Sequence, residues 1–185
     1  MGITGAYLGR FQMFALHHRS VVEEICANYA LDVLYVMVAD WPERTQENPL
    51  TASEAIQIAK LSLTNLGVRT EIRVLPFPLT PNQDFEAQVG IGLERFNLDL
   101  TFSGSSSTLK ALRRCAGVLG FTVVELLERG SCHSTDIRRW IARGDAQWKN
   151  WMAPEAVKFI ESLSLAERLE ALGTGAKRPW AEAKH

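Results

Sequence analysis

The sequence predicts an α/β protein with an open parallel sheet of five strands and helices on both faces, followed by a small helical C-terminal extension. Short apolar runs alternate with helical patterns along most of the chain, which is the order expected when helices connect parallel strands. The run at residues 32–39 is almost continuously apolar, as in a strand buried on both faces of such a sheet. A turn rich in serine and glycine at residues 103–107 follows the fourth run. Together these observations indicate a Rossmann-like sheet.

Each element is predicted from its own stretch of sequence. The strands are expected at residues 6–8, 32–39, 70–75, 98–102 and 121–127. The helices are expected at residues 17–29, 51–66, 85–96, 108–116 and 165–172, with two more starting at 134 and 154. Thr51 and Glu54 have the pattern of a helix cap with an acid in the first turn, and Gly67 is expected to end that helix. Ser134 or Thr135 is expected to cap the helix that starts there. Three prolines between residues 76 and 81 predict an extended loop after the third strand.

Length and composition limit the class of protein. With 185 residues, we expect one domain over residues 1–172, helical in its C-terminal part from about residue 134, and a flexible tail at 173–185. A net charge of −1 argues against a nucleic-acid or membrane-surface partner. The three cysteines form no CxxC pair, so we expect neither a disulfide framework nor a metal site. No apolar run approaches a membrane span and no signal-peptide pattern is present, which predicts a cytoplasmic protein.

The stretch at residues 9–18 has the composition of a phosphate-binding turn. A strand ending in Gly9 and Arg10 passes directly into a helix that carries His17 and His18. A helix N-terminus offers unpaired N–H groups and a partial positive charge, and both suit an anion. Arginine and histidine side chains add donors that can follow charge as it develops on a phosphoryl group. An ordinary strand–helix junction with surface histidines would give the same short pattern, so this stretch alone leaves both interpretations open.

Four segments, in order and at matching spacing, extend this pattern over most of the chain. They are GRFQMF at residues 9–14, ENPLTASE at 47–54, STDIRR at 134–139, and Trp148 followed by MAPEAV at 152–157. The set resembles the nucleotidyltransferase superfamily that carries HxGH and ISSTxxR signatures. The most similar branch is that of the archaeal-type nicotinamide-mononucleotide adenylyltransferases. The resemblance covers roughly residues 9–160.

This resemblance implies transfer of a nucleoside monophosphate, AMP from ATP above all, to a phosphate monoester such as nicotinamide mononucleotide. Pyrophosphate is released, NAD is the expected product, and Mg²⁺ arrives with the triphosphate. The catalytic positions implied are His18, Arg10 and Arg138, together with Ala15 at the position of the first motif histidine. The nucleotide-binding positions implied are Gly9, Arg10, Phe11, Gln12, His18, Ser134, Thr135, Ile137 and Arg138. Relatives of this branch often form oligomers, so a homo-oligomer is compatible with the resemblance.

The acceptor is expected in the loops that follow the second, third and fourth strands. The positions implied for it are Asp40, Asn82, Phe85, Gln88, Ser103 and Gly104. Two departures from the family pattern bear on this site. Gln88 stands where the relatives stack a tryptophan on nicotinamide, so Phe85 or Trp41 would have to provide the platform. Ala55 stands where the family has an arginine.

The phosphate-binding stretch departs from the family as well. Ala15 replaces the first histidine of HxGH, and His17 replaces its glycine. Either Ala15 is an engineered change, or the natural protein works with one motif histidine. Because neighbouring helical residues point in different directions, His17 is expected to be a poor substitute for the missing histidine. Two alternatives therefore stay open: the same chemistry with CTP or another phosphate or phosphonate acceptor in specialised metabolism, and a non-catalytic relative that binds nucleotides.

Overall fold

Five parallel strands form the sheet, and the first strand of the chain lies at its centre. The structure, a computed structural model, describes residues 2–127 and 132–175. The strands are β1 (Ile3–Gly9), β2 (Leu31–Asp40), β3 (Glu71–Pro78), β4 (Leu100–Ser103) and β5 (Thr122–Glu125). Their order in the sheet is β3-β2-β1-β4-β5, and every neighbouring pair is parallel. The predicted open parallel sheet is thus confirmed.

Helices cover both faces of this sheet. They are α1 (Leu16–Asn28), α2 (Ala52–Ser62), α3 (Phe85–Glu94), α4 (Ser106–Leu119), α5 (Ser134–Ala142), a 3₁₀ helix (Ala146–Trp151), α6 (Pro154–Glu161) and α7 (Leu165–Gly175). On one face, α1 and α2 pack with the C-terminal helices into a single apolar cluster. On the other face, α3 and α4 form a second cluster around Met37 and Leu112. Two covered faces explain why the central strands are apolar on both sides.

Two element predictions need correction. Pro76 and Pro78 lie inside β3 and not in a loop. They are tolerated because β3 is an edge strand, which has no neighbouring strand on one side. The nitrogens of residues two apart lie on the same side of a strand, so both prolines can place theirs at this open edge, where no hydrogen bond is lost. The second helix ends at Ser62, before Gly67, and Gly67 adopts a left-handed φ of 66° in the turn beyond it.

The end of the chain is described only in part. Helix α7 continues three residues beyond the predicted boundary at 172 and reaches Gly175. Residues 176–185 of the predicted tail lie outside the described residues, and the single domain at 1–172 stays a prediction. Within the described ranges, no helix combines the length and apolar character needed to cross a bilayer.

Candidate active site

Two cavities lie side by side at the carboxyl edge of the sheet. The first, of about 300 Å³, is rich in basic and hydroxyl-bearing groups, and we call it the polar cavity. The polar cavity is lined by Tyr7, Leu8, Gly9, Arg10, Phe11, Gln12, His17, His18, Val21, Ser103, Gly104, Ser105, Leu126, Leu127, Cys132, His133, Ser134, Thr135 and Arg138. The second, of about 560 Å³, is mostly hydrophobic, and we call it the apolar cavity. The apolar cavity is lined by Leu8, Gly9, Arg10, Met37, Ala39, Trp41, Glu47, Asn48, Phe77, Leu79, Phe85, Val89, Ser105, Ser107 and Thr108.

The two cavities meet at the end of β1. Leu8, Gly9, Arg10 and Ser105 line both of them. This position follows from the topology, because β1 pairs with β2 on one side and with β4 on the other. The loops after those strands leave in different directions and open a crevice, as expected at the switch point of a doubly wound sheet. A molecule in each cavity would therefore face the other across Arg10.

Aromatic packing fixes the turn that leaves β1. Phe11 adopts a left-handed φ of 45°, and its buried ring packs edge-on against Tyr7 and His18 at centroid distances of 4.9 and 5.2 Å. Gly9 makes this possible, because a Cβ atom there would lie 2.5 Å from Cζ of Phe11. Glycine is thus required at residue 9 because the ring of Phe11 lies close against the backbone there.

The first turn of α1 contains a chain of contacts between histidines. The backbone N–H of Ala15 donates to Nδ1 of His18 at 3.0 Å. Nε2 of His18 lies 3.0 Å from Nε2 of His17, and the two ring centroids are 3.8 Å apart. The expectation that these neighbours point apart is therefore wrong: at the first turn both rings rotate toward the polar cavity and touch. Ala15 itself is fully buried in the apolar cluster and does not line either cavity.

Both histidines are held in the neutral form. Burial, with a smaller contribution from the charge of His17, lowers the pKa of His18 to about 3. Burial, with a contribution from His133, also lowers the pKa of His17 below its ordinary value. Around neutral pH, the two rings are therefore hydrogen-bonding groups without charge. In the free protein, positive charge at the polar cavity comes from arginine.

The N-terminus of α5 closes the polar cavity from the opposite side. The Oγ–H of Ser134 donates to the carbonyl of Met13 at 3.2 Å, which ties this helix to the loop after β1. The cap position is His133 and neither Ser134 nor Thr135, and the carboxylate of Asp136 accepts the N–H of His133 at 3.1 Å. Because Ser134 bonds across to the other motif, its hydroxyl is not available to cap its own helix. The first residues of this helix, Ser134 and Thr135, line the polar cavity, and a helix N-terminus leaves N–H groups unpaired within the helix.

Arg138 is a buried cation. Its side chain is only 7% exposed, and its Nη2 donates to Oγ1 of Thr135 at 3.3 Å. Among the described residues, no carboxylate forms an ion pair with it. Burial, together with the charge of Arg10, lowers the pKa of Arg138 to about 10, so the guanidinium stays protonated at neutral pH. A buried cation that has no carboxylate paired with it in the described part of the chain is a strong candidate to bind an anion.

Several other residues predicted for the nucleotide occupy different places. Gly9, Phe11 and Thr135 line the polar cavity. Gln12 also lines it, but its buried amide oxygen accepts the N–H of Leu50 at 3.0 Å and so holds the segment at 47–54. Ile137 is fully buried in the apolar cluster and lines neither cavity, because it lies on the inward face of α5.

The residues predicted for the acceptor are dispersed. Phe85 lines the apolar cavity, whereas Ser103 and Gly104 line the polar one. Asp40 and Asn82 line neither cavity, and Asp40 lies 3.8 Å from Arg44 in an ion pair. Gln88 also lines neither. Its amide bonds to both backbone groups of Thr80 and to the carbonyl of Gln83, so it serves to hold the loop after β3.

Asn48 was not predicted as a site residue. It lines the apolar cavity, is 3% exposed, and has a buried Oδ1 atom without a hydrogen-bond partner among the described residues. The only sequence signal for it was its place in the segment at 47–54 beside Glu47. Trp41 also lines this cavity, as does Phe85. Within the described ranges, no cluster of three or more histidine, cysteine or acidic side chains could hold a metal ion.

Sequence comparison finds archaeal relatives over almost the whole chain. No model of a known protein family matches it. The chain is 27% identical over 169 residues to the nicotinamide-nucleotide adenylyltransferase of Aeropyrum pernix, covering 89% of this chain and 94% of that protein. It is 29% identical over 173 residues to the protein of the same name in Ignicoccus hospitalis, again covering 89% and 94%. It is also 26% identical over 166 residues to an uncharacterised protein of Aeropyrum pernix, covering 87% and 92%.

Solved structures share the fold. A bifunctional NMN adenylyltransferase/ADP ribose pyrophosphatase from Francisella tularensis superposes with a TM-score of 0.73 at 14% identity, over 94% of this chain. A structure of such a protein from the same organism in complex with AMP and a manganese ion gives a TM-score of 0.67, also at 14% identity. The chain spans about half of each of these longer proteins, 54% in both cases. At this level of identity the likeness concerns the fold alone.

Proposed function

We propose that the chain transfers the adenylyl group of ATP to nicotinamide mononucleotide. It belongs to the nucleotidyltransferase superfamily and is similar to the archaeal nicotinamide-mononucleotide adenylyltransferases of that superfamily. One observation carries the proposal beyond the family. A cavity rich in basic groups and an apolar cavity meet at Gly9 and Arg10. The reaction needs this arrangement, because the phosphate of one substrate must reach the α-phosphorus of the other.

In this proposal the polar cavity holds the triphosphate. Arg138 and Arg10 provide the two positive charges, and the first turn of α5 provides N–H groups for the terminal phosphates. The divalent ion that accompanies the triphosphate belongs to the substrate. The acceptor phosphate attacks the α-phosphorus, the bond from that phosphorus to the bridging oxygen breaks, and pyrophosphate leaves with the electron pair. The side chains supply position and charge, and no covalent intermediate on the protein is required.

The apolar cavity holds the base of the acceptor. Trp41 and Phe85 offer aromatic surface, and the unpartnered Oδ1 of Asn48 can accept an N–H group such as that of a carboxamide. A carboxamide-bearing ring therefore suits this cavity. The same features would also suit another acceptor. Gln88 stands in the position of the family tryptophan, and its side chain bonds to the loop backbone, so it does not provide the surface on which that tryptophan stacks nicotinamide. A different phosphate or phosphonate acceptor is the second candidate.

The test is a synthesis assay with Mg-ATP and nicotinamide mononucleotide, in which NAD is identified by mass and pyrophosphate is quantified. We expect NAD to form. A panel of triphosphates that includes CTP, together with other phosphate monoesters, separates the two candidates by product mass. Tight ATP binding with no product from any pair would overturn the proposed catalysis and favour a nucleotide-binding relative.

A pair of neighbouring arginines supplies a matched control. Arg138→Ala should reduce kcat/KM by about 10²–10³-fold, the usual effect of losing one charge-stabilising donor. The side chain of Arg139 is 67% exposed and lies 3.5 Å from Asp136 in an ion pair, so Arg139→Ala should leave the rate near that of the parent. Equal loss in both variants would show that a general change in helix α5, and not the buried charge, limits the reaction.

A further inference from the structure

The contact between His17 and His18 determines which nitrogen of each ring carries the proton. Nδ1 of His18 accepts the backbone N–H of Ala15, so this nitrogen cannot carry a proton itself. The proton of neutral His18 must then be on Nε2, which faces Nε2 of His17 at 3.0 Å. His17 accepts that hydrogen bond, and its own proton is therefore on Nδ1.

This assignment leaves one donor without a partner. Nδ1 of His17 is buried and has no hydrogen-bond partner among the described residues. A buried unsatisfied donor loses its hydrogen bond to water without gaining another, so the ring of His17 is in an unfavourable state while it bonds to His18. At the same time, His17 occupies the Nε2–H of His18. Under the proposed function, that N–H group is the one the second motif histidine would offer to a phosphate.

The surroundings of His17 favour an anion. It lies on the wall of the polar cavity, where most of the other ionisable groups are basic. The charged and titratable side chains of the described residues that line this cavity are Tyr7, Arg10, His17, His18, Cys132, His133 and Arg138. No aspartate or glutamate of the described residues lines it. A phosphate that enters would bring negative charge to a wall that carries none among the described residues, and a charge-assisted hydrogen bond is about twice as strong as the neutral contact between two imidazoles.

We propose that His17 takes over the role of the histidine missing at Ala15. In the free protein, His17 holds His18. When the triphosphate replaces His17 at Nε2 of His18, His17 becomes a protonated phosphate ligand. This inference rests on the proposed function. Once released, His17 has both ring nitrogens available beside a phosphate. A nearby negative charge stabilises imidazolium, whereas the empty cavity disfavours it. The protein therefore takes up protons, at most one at His17, when the triphosphate binds near pH 6.5.

Nitrogen NMR of the free protein tests the first half without any ligand. At pH 7, His18 should show the tautomer protonated at Nε2, and His17 the one protonated at Nδ1. His17→Gln provides the assignment and should remove the coupling between the two rings. A free-state His17 protonated at Nε2 would overturn the inference, because it would then not accept from His18.

Calorimetry tests the second half. An α,β-methylene analogue of ATP with Mg²⁺ is titrated at pH 6.5 in two buffers of different ionisation enthalpy, which gives the number of protons bound. We expect clear proton uptake for the parent and for His133→Gln, and loss of that uptake in His17→Gln. Binding without uptake in the parent, or uptake that persists in His17→Gln, would overturn the inference.

The two proposals fail in different ways. An analogue that does not bind removes the proposed function and the phosphate half of this inference together. NAD synthesis by a parent protein that takes up no proton leaves the proposed function intact and removes the role of His17. Synthesis with uptake that depends on His17 supports both.

Discussion

At the scale of single residues, the polar cavity depends on packing as much as on hydrogen-bonding groups. His18 is held by the ring of Phe11 on one side and by that of Phe14 at a centroid distance of 5.3 Å. Phe11 in turn occupies the space that Gly9 leaves open. A chain of contacts therefore runs from the end of β1 to the motif histidine. A change at Gly9 is expected to reach His18 through Phe11, without any direct contact.

Gly9→Ala tests this chain. Its Cβ would lie 2.5 Å from Phe11, whose buried ring cannot move without disturbing His18. We expect a loss of about 1–3 kcal/mol in the free energy of unfolding and a fall in transferase rate. Gly117→Ala is the matched control, because a Cβ there meets no atom within 4 Å and the residue lies inside α4. The control should gain about 1 kcal/mol, as measured by urea unfolding. Equal stability of the two variants would contradict the argument.

Restoring the family pattern should require two changes. Ala15 is fully buried, so Ala15→His alone adds an imidazole to a packed site and should cost about 1–3 kcal/mol. In addition, His17 would still occupy Nε2 of His18. We expect Ala15→His combined with His17→Gly to have a lower KM for ATP than Ala15→His alone, measured by NAD formation, because the triphosphate then need not displace His17 from His18. A single variant as active as the double one would show that His17 does not interfere.

Asn48 should act on the acceptor and leave the triphosphate unaffected. Its Oδ1 contributes little to folding, because it makes no hydrogen bond within the described ranges that a substitution could remove. Asn48→Ala is therefore expected to raise the KM for nicotinamide mononucleotide about tenfold, equivalent to one lost hydrogen bond of about 1.4 kcal/mol. The KM for ATP should stay unchanged in the same steady-state assay. A parallel rise in both KM values would instead indicate a displaced segment at 47–54.

At the scale of elements, the C-terminal helices hold the loops that form the cavities. Arg168 of α7 forms two charged contacts with Glu54, at 2.7 and 3.0 Å, and donates to the carbonyl of Pro49 at 3.2 Å. Glu54 also accepts the N–H of Thr51 at 2.8 Å in a capping box at the start of α2. One arginine thus connects the last described helix to the segment that carries Asn48.

Removing Arg168 should destabilise the protein in a manner that depends on pH. Burial raises the pKa of Glu54, but the hydrogen bonds from Arg168 and Thr51 outweigh it, and the net pKa lies below the ordinary 4.5. The stabilisation from this carboxylate is therefore present above that value and is lost as the pH falls through the lowered pKa. Arg168→Ala should cost about 1–2 kcal/mol at pH 7 and less near pH 3.5, as measured by urea unfolding.

An exposed ion pair gives the comparison for this prediction. Arg113 and Glu125 are both more than half exposed, so Arg113→Ala should change the free energy of unfolding by no more than about 0.5 kcal/mol at either pH. A cost for Arg168→Ala that is equally large at pH 3.5 would show that packing of the arginine stem, and not its charge, connects the two helices.

At the scale of the whole molecule, the sheet could be predicted because its signals are long and repeated. Alternating strands and helices restrict the topology to a few arrangements, and apolar runs indicate which strands are covered on both faces. The same topology brings Arg10, His18, Ser134 and Arg138 to one cavity, although about 120 residues separate the first two from the last two. The edge position of β3 could not be read from its prolines, because an edge strand and an extended loop accept proline for the same reason.

The details of the cavities were not accessible from local patterns. The contact between His17 and His18 depends on side-chain rotation at the first turn of a helix, where spacing rules for its middle do not apply. The place of Asn48 depends on the path of a loop that Gln12 holds through a buried hydrogen bond. Both features arise from long-range packing, whereas a motif records only the residue types at fixed spacing.

Ligand-dependent stability tests the arrangement of the whole molecule. A triphosphate analogue at 100 times its Kd should stabilise the native state by about 2.7 kcal/mol, or about 5–10 °C in Tm for a chain of this size. Arg138→Ala should lose most of this shift, because the buried charge that binds the phosphates is absent from the variant. The shift produced by nicotinamide mononucleotide should be smaller and should persist in that variant, since its base lies in the apolar cavity. If both shifts disappeared together, the two cavities would not be independent sites meeting at Arg10, and a single shared site would have to replace them.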